Sequence, residues 1–263
     1  MSKTIKETII TDYTAIALYA AQQGANAQRD TICKPIYDPI DADYKQKAGY
    51  IDEVNLGLGC GFPFDHATIK EGDVVVDLGC GAGIDTFITA TRVGESGKVI
   101  GIDLTEKLLQ YAAYFAKKKG IGNVAFQQAD MERIPLKENC VDVVLSNGVF
   151  SLTSDLDKVL SEIYRILKPG GTLSFSDMTC KGSFTKPVLN NMIYFTGCLN
   201  GISTQESYLQ ALQRAGFQSI ELVEERIIPI PADIIETSPD PDEYKELQDG
   251  TRCFIVSTIT CKK

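Results

Sequence analysis

Several features that would point to particular functions are missing from this chain. It has no tryptophan, one histidine and no Cys-x-x-Cys pair among its eight cysteines, so a structural metal site has little support. No apolar run is long enough to cross a bilayer, and residues 1–11 lack the apolar core of a signal peptide. We therefore expect a cytoplasmic protein whose thiols are reduced.

Positive charge is also in short supply. The 26 lysines and arginines are outnumbered by 35 aspartates and glutamates, which gives a formal net charge of -9 at pH 7. An acidic surface repels nucleic-acid phosphates and anionic lipids, so we expect neither nucleic acid nor membrane as a partner. With 44% hydrophobic residues in 263 positions, the chain can bury one substantial core. A small molecule is the expected partner.

The most informative feature that is present is a glycine-rich turn after an apolar strand. Residues 74–83 read Val-Val-Val-Asp-Leu-Gly-Cys-Gly-Ala-Gly and lead into a helix-like segment. Gly79, Gly81 and Gly83 allow a tight turn and the close approach of a ligand. Asp103 ends the next apolar run, where nucleotide-binding sites hold a ribose hydroxyl. The two signals together predict a site for a nucleotide-type cofactor.

The residues around this turn favour one class of cofactor. In nicotinamide enzymes a third glycine comes one residue later and lies against a pyrophosphate, but that position is Ile84 here. Asp77, at the end of the strand, would repel a diphosphate and attract an ammonium or sulfonium group. We therefore interpret the ligand as S-adenosylmethionine and expect Asp77, Gly79 and Gly81 to contact its methionine part.

Two later strand patterns supply further candidates for the cofactor site. Residues 123–130 end in Asp130, which Met131 follows, and a carboxylate beside a thioether suits the amino group and ring face of an adenine. Residues 140–146 form another strand pattern, and we place Asn147 at the mouth of that strand.

The order of these elements predicts the fold. A helical pattern at residues 155–167 is stopped by Lys-Pro-Gly-Gly, and a fifth strand follows at residues 172–177. Alternating strands and helices, with a ligand at the strand ends, indicate an α/β protein with a Rossmann-like three-layer sandwich, and the order of the elements resembles that of the class I methyltransferases. We expect a seven-stranded, mostly parallel sheet whose last strand is antiparallel.

The remaining segments are additions to this central unit. We expect a helical arm or lid at residues 1–54 and the cofactor-binding domain at residues 55–263. Tyr13 lies on the helical pattern of the arm and can close over the cofactor, although such a tyrosine more often serves packing alone. Residues 33–50 are rich in proline and aspartate and are interpreted as a loop able to move.

Two insertions interrupt the second half of the chain. The first, at residues 178–203, lies where a cap over the active site is expected and carries few charges, which suits an acceptor pocket. The second, at residues 227–250, is acidic and proline-rich and is interpreted as a solvated loop. A homodimer contact is the alternative for this second insertion.

Together these motifs resemble the class I S-adenosylmethionine-dependent methyltransferases over roughly residues 55–260. The loop at residues 55–61, Asn-Leu-Gly-Leu-Gly-Cys-Gly, together with Gly-Ile-Asp-Leu-Thr and Ser-Asn after later strands, is similar to the arsenite methyltransferase branch. The resemblance implies methyl transfer to arsenite or a methylated arsenical. We add Gly57, Cys60 and Leu104 of these motifs to the expected cofactor site.

The arsenite methyltransferase branch also carries three substrate-binding cysteines. Cys198 matches one of these positions and Cys33 is the candidate for another, whereas the position after Ser-Asn is Gly148 here. The resemblance therefore implies Cys33 and Cys198 as ligands of the acceptor. Two alternatives stay open: a methyltransferase for another small organic acceptor, and a cofactor-binding protein without transfer activity.

Overall fold

A computed structural model describes residues 4–29, 34–198 and 201–263, which form one central sheet with helices packed on both faces. The strands are β1 (Val74–Leu78), β2 (Lys98–Asp103), β3 (Val124–Gln128), β4 (Val141–Asn147), β5 (Leu167–Lys181), β6 (Ser203–Thr204), β7 (Gln218–Ile228) and β8 (Cys253–Lys262). The helices are α1 (Ile5–Gln23), α2 (Ala25–Arg29), α3 (Lys34–Lys45), α4 (Pro63–His66), α5 (Ile84–Val93), α6 (Glu106–Lys119), α7 (Leu156–Ile166), α8 (Lys186–Thr196), α9 (Gln205–Arg214), α10 (Ala232–Ile235) and α11 (Pro241–Asp249).

The strand order across the sheet is β3-β2-β1-β4-β5-β8-β7. Neighbours from β3 to β5 are parallel, whereas β8 is antiparallel to both β5 and β7. The predicted mostly parallel sheet with an antiparallel last strand is therefore confirmed. The described residues add one strand to the expected seven, because the two-residue β6 pairs with the extended end of β5.

The strand register brings the predicted site residues to one edge of the sheet. Asp77 of β1 pairs with Gly101 of β2 on one side and with Leu145 of β4 on the other, so the carboxyl ends of the three strands lie side by side. After β1 the chain forms β2 on one side of this strand, and it later forms β4 on the opposite side. A crevice opens at such a switch point, and in open α/β sheets it is where ligands bind.

The predicted helix in the N-terminal arm is confirmed as α1. A capping box begins it: Glu7 N donates to Thr4 Oγ1 at 3.2 Å, and Thr4 N donates to Glu7 Oε2 at 2.8 Å. Only three of its 19 residues, Ile9, Ala17 and Ala20, are buried. The helix is therefore well formed but attached to the rest of the molecule through a narrow stripe.

The mobile loop predicted at residues 33–50 is wrong for most of its length, because residues 34–45 form α3. Pro39 lies inside this helix, where it removes a backbone donor at a cost of about 3 kcal/mol. Burial of Ile40 and Tyr44 against the aromatic cluster around Phe64 offsets that cost. Cys33 lies outside the described residues.

The solvated loop predicted at residues 227–250 is also wrong, because this segment folds into α10 and α11. Ile234 and Leu247 are buried in a cluster that also contains Val188 of α8. The carboxylate of Glu243 accepts from the backbone N of Thr185 at 2.6 Å and from its hydroxyl at 2.7 Å, just before α8 begins. The second insertion thus supports the first, and its role in a homodimer stays a prediction.

Candidate active site

A pocket opens at the carboxyl ends of β1, β2 and β4. It contains about 1040 Å³ of space between atoms, its open mouth included. The glycine turn after β1 lies at its base, and Lys6, Ile9 and Tyr13 of α1 form part of its wall. The arm helix therefore contributes directly to the pocket.

This pocket brings together all but two of the residues that the sequence predicted for the cofactor. Gly57 is outside its lining and has a φ of +66°, and its N donates to Asn55 Oδ1 at 3.2 Å. Cys60 is also outside the lining. The predicted residues in the lining are Tyr13, Asp77, Gly79, Gly81, Asp103, Leu104, Asp130, Met131 and Asn147.

Two glycines of the turn meet different requirements. Gly79 has a φ of +76°, and a Cβ there would lie 2.4 Å from Val149 Cγ2, so the local packing excludes a side chain. Gly81 has a φ of +53°, and a Cβ there would have only Leu58 Cδ1, 4.0 Å away, as a neighbour. A side chain at Gly81 would occupy the open pocket, so this position leaves room for a ligand to approach the backbone.

Asp103 fixes the shape of the turn as well as facing the pocket. Its Oδ2 accepts from Gly81 N at 2.9 Å, and its Oδ1 accepts from Thr105 N at 2.8 Å. Burial raises the pKa of Asp103, and these backbone donors counteract part of the increase. The sequence predicted its place near a ribose but not its bonds to the turn.

Asp77 shares the methionine end of the expected cofactor site with a second buried carboxylate, Asp85 of α5. Both line the pocket and are almost fully buried. Burial raises the pKa of Asp77, and the nearby charge of Asp85 raises it further. Burial also raises the pKa of Asp85. A pocket with two crowded carboxylates favours a cation between them, which fits an ammonium or sulfonium group.

Asn147 lies at the mouth of β4 as predicted, but protein groups occupy its amide. Its Oδ1 accepts from Cys60 N at 2.8 Å and from Gly61 N at 3.1 Å. Its Nδ2 donates to Tyr44 Oη at 3.0 Å, Gly61 O at 2.9 Å and Asp85 Oδ2 at 2.8 Å. The side chain therefore fixes the loop before α4 and orients Asp85.

The sequence did not predict Tyr44 as part of this network. Its hydroxyl lies 2.9 Å from Asp85 Oδ1 and 3.1 Å from Gly61 O. Burial, followed by the charge of Asp85, raises its pKa well above the usual value, so the phenol stays protonated. The sequence signal was hidden because Tyr44 belongs to α3, in the segment interpreted as a loop.

The other end of the pocket contains Asp130 and Met131, which the sequence predicted for the adenine. Lys6 Nζ lies 2.6 Å from Asp130 Oδ2 and 2.7 Å from Glu132 Oε2. Burial opposes the ionisation of Asp130, but the hydrogen bond from Lys6 and the other favourable contacts outweigh it and lower the pKa. The sequence gave no indication that the arm would reach this carboxylate.

Three cysteines, Cys60, Cys180 and Cys198, belong to one buried apolar cluster, together with Met178. Cys60 follows Gly59 of the pocket lining, and a Cβ on Gly148, another lining residue, would lie 3.7 Å from Cys60 Sγ. The structure therefore places Cys60 in the same apolar cluster as Cys198 and not in the lining of the cofactor pocket.

No metal centre or membrane-spanning element is found in the part of the chain that the structure describes. Within residues 4–29, 34–198 and 201–263, no group of three or more His, Cys, Asp or Glu side chains is arranged to hold a metal ion. Across those ranges no helix combines the length and the apolar character needed to cross a membrane. His66, the single histidine, is outside the pocket lining, with Nε2 3.0 Å from Glu224 Oε2.

Comparisons with known proteins agree with this geometry. A family described as "Methyltransferase domain" matches residues 69–216. The chain is 35% identical over 193 residues to the arsenite methyltransferase of Halobacterium salinarum, which covers 70% of this chain and 49% of that protein. It is 36% identical over 130 residues to a ubiquinone/menaquinone biosynthesis C-methyltransferase of Escherichia coli, covering 49% of each. The chain thus spans about half the length of these curated relatives.

A solved structure extends the match over most of the chain. The crystal structure of an arsenic(III) S-adenosylmethionine methyltransferase from Chlamydomonas reinhardtii has a TM-score of 0.65 and 30% identity, and covers 88% of this chain and 73% of that one. The chain therefore belongs to the class I S-adenosylmethionine-dependent methyltransferases, and within them to the arsenite methyltransferase branch. The cofactor of this family is S-adenosylmethionine, which fits the open backbone at Gly81 and the carboxylates beside it.

Proposed function

We propose that this chain transfers a methyl group from S-adenosylmethionine to a small trivalent arsenical, either arsenite or a methylated one. The observation that carries the proposal is the burial of Cys60 and Cys198 in one apolar cluster, in which Cys60 adjoins Gly59 and Gly148 of the cofactor pocket. The solved relative from Chlamydomonas reinhardtii, which is described as acting on arsenic(III), supports the choice of acceptor.

The chain's own residues would hold the cofactor in a defined direction. Asp77 and Asp85 attract its cationic methionine end, Asp103 meets the ribose, and Asp130 with Met131 meets the adenine. When bound, S-adenosylmethionine supplies a methyl carbon that its sulfonium group has already activated. The protein therefore has to position a soft acceptor rather than deprotonate one.

The two thiols would hold the acceptor. Each sulfur–arsenic bond forms as a thiol displaces one hydroxyl of arsenite, and the thiol proton leaves with that hydroxyl as water. Two such exchanges leave one hydroxyl on the arsenic and need no external base. Burial, followed by the charge of Asp177, raises the pKa of Cys60 well above its usual value, and this exchange is compatible with a protonated thiol.

A third sulfur ligand stays a prediction. Cys33, the ligand that the sequence suggested, lies outside the described residues, and Gly148 offers no side chain. Our proposal therefore keeps Cys198, adds Cys60, and retains Cys33 as the candidate third thiol. Around this pair, Met178, Val188 and Met192 form an apolar environment that excludes water from the acceptor.

A second candidate is methyl transfer to another small organic acceptor. The glycine at position 148 favours an organic acceptor, because the arsenite methyltransferase branch has a substrate-binding cysteine at that position. The apolar cluster around Cys198 would also suit an organic ring. The similarity to the C-methyltransferase of Escherichia coli also supports it. In this case Cys198 would only line the acceptor pocket.

We further propose that the protein works in the cytoplasm on a small molecule and without a nucleic-acid partner. The net charge of -9 supports this, because phosphate groups would be repelled. A homodimer through residues 227–250 stays a prediction that sedimentation analysis tests directly.

The acceptor is tested by incubating the protein with methyl-labelled S-adenosylmethionine and either arsenite or a panel of phenols and quinols. Cys60→Ser and Cys198→Ser should each abolish labelling of arsenite while cofactor affinity by calorimetry stays unchanged. Cys140→Ser, a thiol outside this cluster, is the matched control and should keep full activity.

The possible outcomes separate the candidates. Arsenite turnover that survives both Cys60→Ser and Cys198→Ser would contradict the thiol site. Product from phenols or quinols alone would favour the organic acceptor. Cofactor binding without product from any acceptor would favour a noncatalytic binding protein.

A further inference from the structure

Lys6 occupies an unusual place in α1. It lies in the first turn of the helix, where the helix dipole disfavours a cation. Its ammonium group nevertheless reaches the adenine end of the pocket and lies within 2.7 Å of carboxylate oxygens of both Asp130 and Glu132. Lys6 also lines the pocket itself. The ion pairs of Lys6 with the pocket carboxylates therefore explain why a cation lies here, whereas the helix dipole does not.

The face that α1 turns toward the pocket is defined by helical spacing. Lys6, Ile9 and Tyr13 all line the pocket and are separated by three and four residues, so they share one side of the helix. Tyr13 lines the pocket together with Asp103, and burial, followed by the charges of Asp103 and Cys198, raises its pKa. One helical face thus extends from the adenine end of the pocket toward the region of Asp103.

The apolar contacts of this helix lie beyond its first turn. Ile9, Ala17 and Ala20 are buried, and Tyr13 and Ile16 pack against the same part of the molecule while partly buried. No residue of the first turn, residues 5–8, is buried, and an end with so little apolar burial opens at a low free-energy cost. The two ion pairs of Lys6 are therefore a substantial part of what keeps the N-terminal end of α1 in place.

We propose that Lys6 is a positioning residue for the cofactor: its ion pairs with Asp130 and Glu132 hold α1 across the adenine end of the pocket, and the cofactor leaves when they break. This inference rests on the proposed function only through the binding of S-adenosylmethionine, and not through the identity of the acceptor.

The first measurement is the dissociation rate of S-adenosylhomocysteine from the full chain, followed by surface plasmon resonance. Partly exposed ion pairs have modest strength, so Lys6→Met should accelerate dissociation about fivefold. Lys6→Arg preserves the charge and should restore the slow rate. In about 1 M salt, where the screening length is about 3 Å, the difference between Lys6→Met and the parent chain should shrink.

Lys158→Met is a matched control for charge. Lys158 Nζ lies 3.8 Å from Glu132 Oε2, but this residue belongs to α7 and does not line the pocket. The substitution removes a cation from the same carboxylate without touching α1, so the dissociation rate should stay unchanged. Equal acceleration by Lys158→Met and Lys6→Met would overturn the proposal, because a general charge effect would then explain both.

Hydrogen–deuterium exchange of the ligand-free protein tests the attachment of the helix without any cofactor. Amides of α1 should exchange faster in Lys6→Met than in the parent chain, while those of β1 and β4 stay the same. Equal exchange, or an unchanged dissociation rate, would overturn the proposal. Failure of the parent chain to bind S-adenosylhomocysteine would count against the proposed function, and the exchange comparison would still decide the role of Lys6.

Discussion

At the scale of single residues, the pocket is dominated by carboxylates that are buried before any ligand binds. Asp77, Asp85 and Asp103 all have raised pKa values because burial disfavours their charged forms. Asp77 and Asp103 were predictable, because each ends a strand next to the glycine turn. Asp85 was not, because an acidic residue in the first turn of a helix is ordinarily explained by the helix dipole.

Asp177, beyond the pocket, provides a test of this burial by pH. It is 1% exposed, and burial raises its pKa to about 6 despite hydrogen bonds from Met178 N and Ser151 N. The folded chain therefore holds this proton more tightly than the unfolded chain, whose carboxyl has a pKa of about 3.9. Ionisation of Asp177 is thus destabilising above about pH 6, and this destabilisation disappears as the pH falls toward 4.

The substitution Asp177→Asn removes that titration. The free energy of unfolding of the variant, relative to the parent chain, should rise between pH 4 and pH 7 by up to about 3 kcal/mol. Urea denaturation at several pH values measures this difference. A difference that does not change with pH would show that Asp177 keeps an ordinary pKa in the folded protein.

At the scale of elements, α3 contacts the hydrogen-bond network of Asp85 and Asn147 through the hydroxyl of Tyr44. Tyr44→Phe would remove the hydroxyl that donates to Asp85 Oδ1 and Gly61 O and accepts from Asn147 Nδ2, all in buried surroundings. We expect the free energy of unfolding to fall by about 1–2 kcal/mol, because a buried polar group loses its partner. Urea denaturation measures the loss. Tyr114→Phe, at a tyrosine 59% exposed, is the control and should leave stability unchanged.

The sequence analysis interpreted α3 and α11 as loops for the same reason. Pro39 in α3 and Pro241 at the start of α11 lie among acidic residues, and local propensity alone favours loops there. Pro241 lies in the first turn of α11, where proline is tolerated, and burial of Ile40 in α3 and Leu247 in α11 offsets the weak propensity. β1 and α5 were predictable because an apolar run leads into the glycine turn at residues 79–83 and a helical pattern follows it. The structures of α3 and α11 depend on burial against distant parts of the fold, which the local sequence pattern does not show.

At the scale of the whole molecule, the proposed acceptor site joins segments that are distant in the sequence. Cys60 precedes β1 and Cys198 follows α8, so their burial in one cluster depends on the complete sheet and on the support of α8 by α10 and α11. The sequence indicated Cys198 by resemblance but assigned Cys60 to the cofactor. Only the fold could reveal the pair, because no local spacing relates the two residues.

This arrangement predicts that a reagent linking the two thiols will stabilise the entire chain. Phenylarsine oxide forms two sulfur–arsenic bonds, and its oxygen leaves as water with both thiol protons. A ligand that binds the folded state alone, at about 100 times its dissociation constant, adds about 2.7 kcal/mol to the free energy of unfolding. The midpoint of thermal unfolding should therefore rise by several degrees in the parent chain and in Cys140→Ser, as measured by differential scanning fluorimetry. Because each variant keeps only one thiol of the proposed pair, Cys60→Ser and Cys198→Ser should each lose this increase, and an undiminished increase in either variant would rule out the pair as the arsenical site.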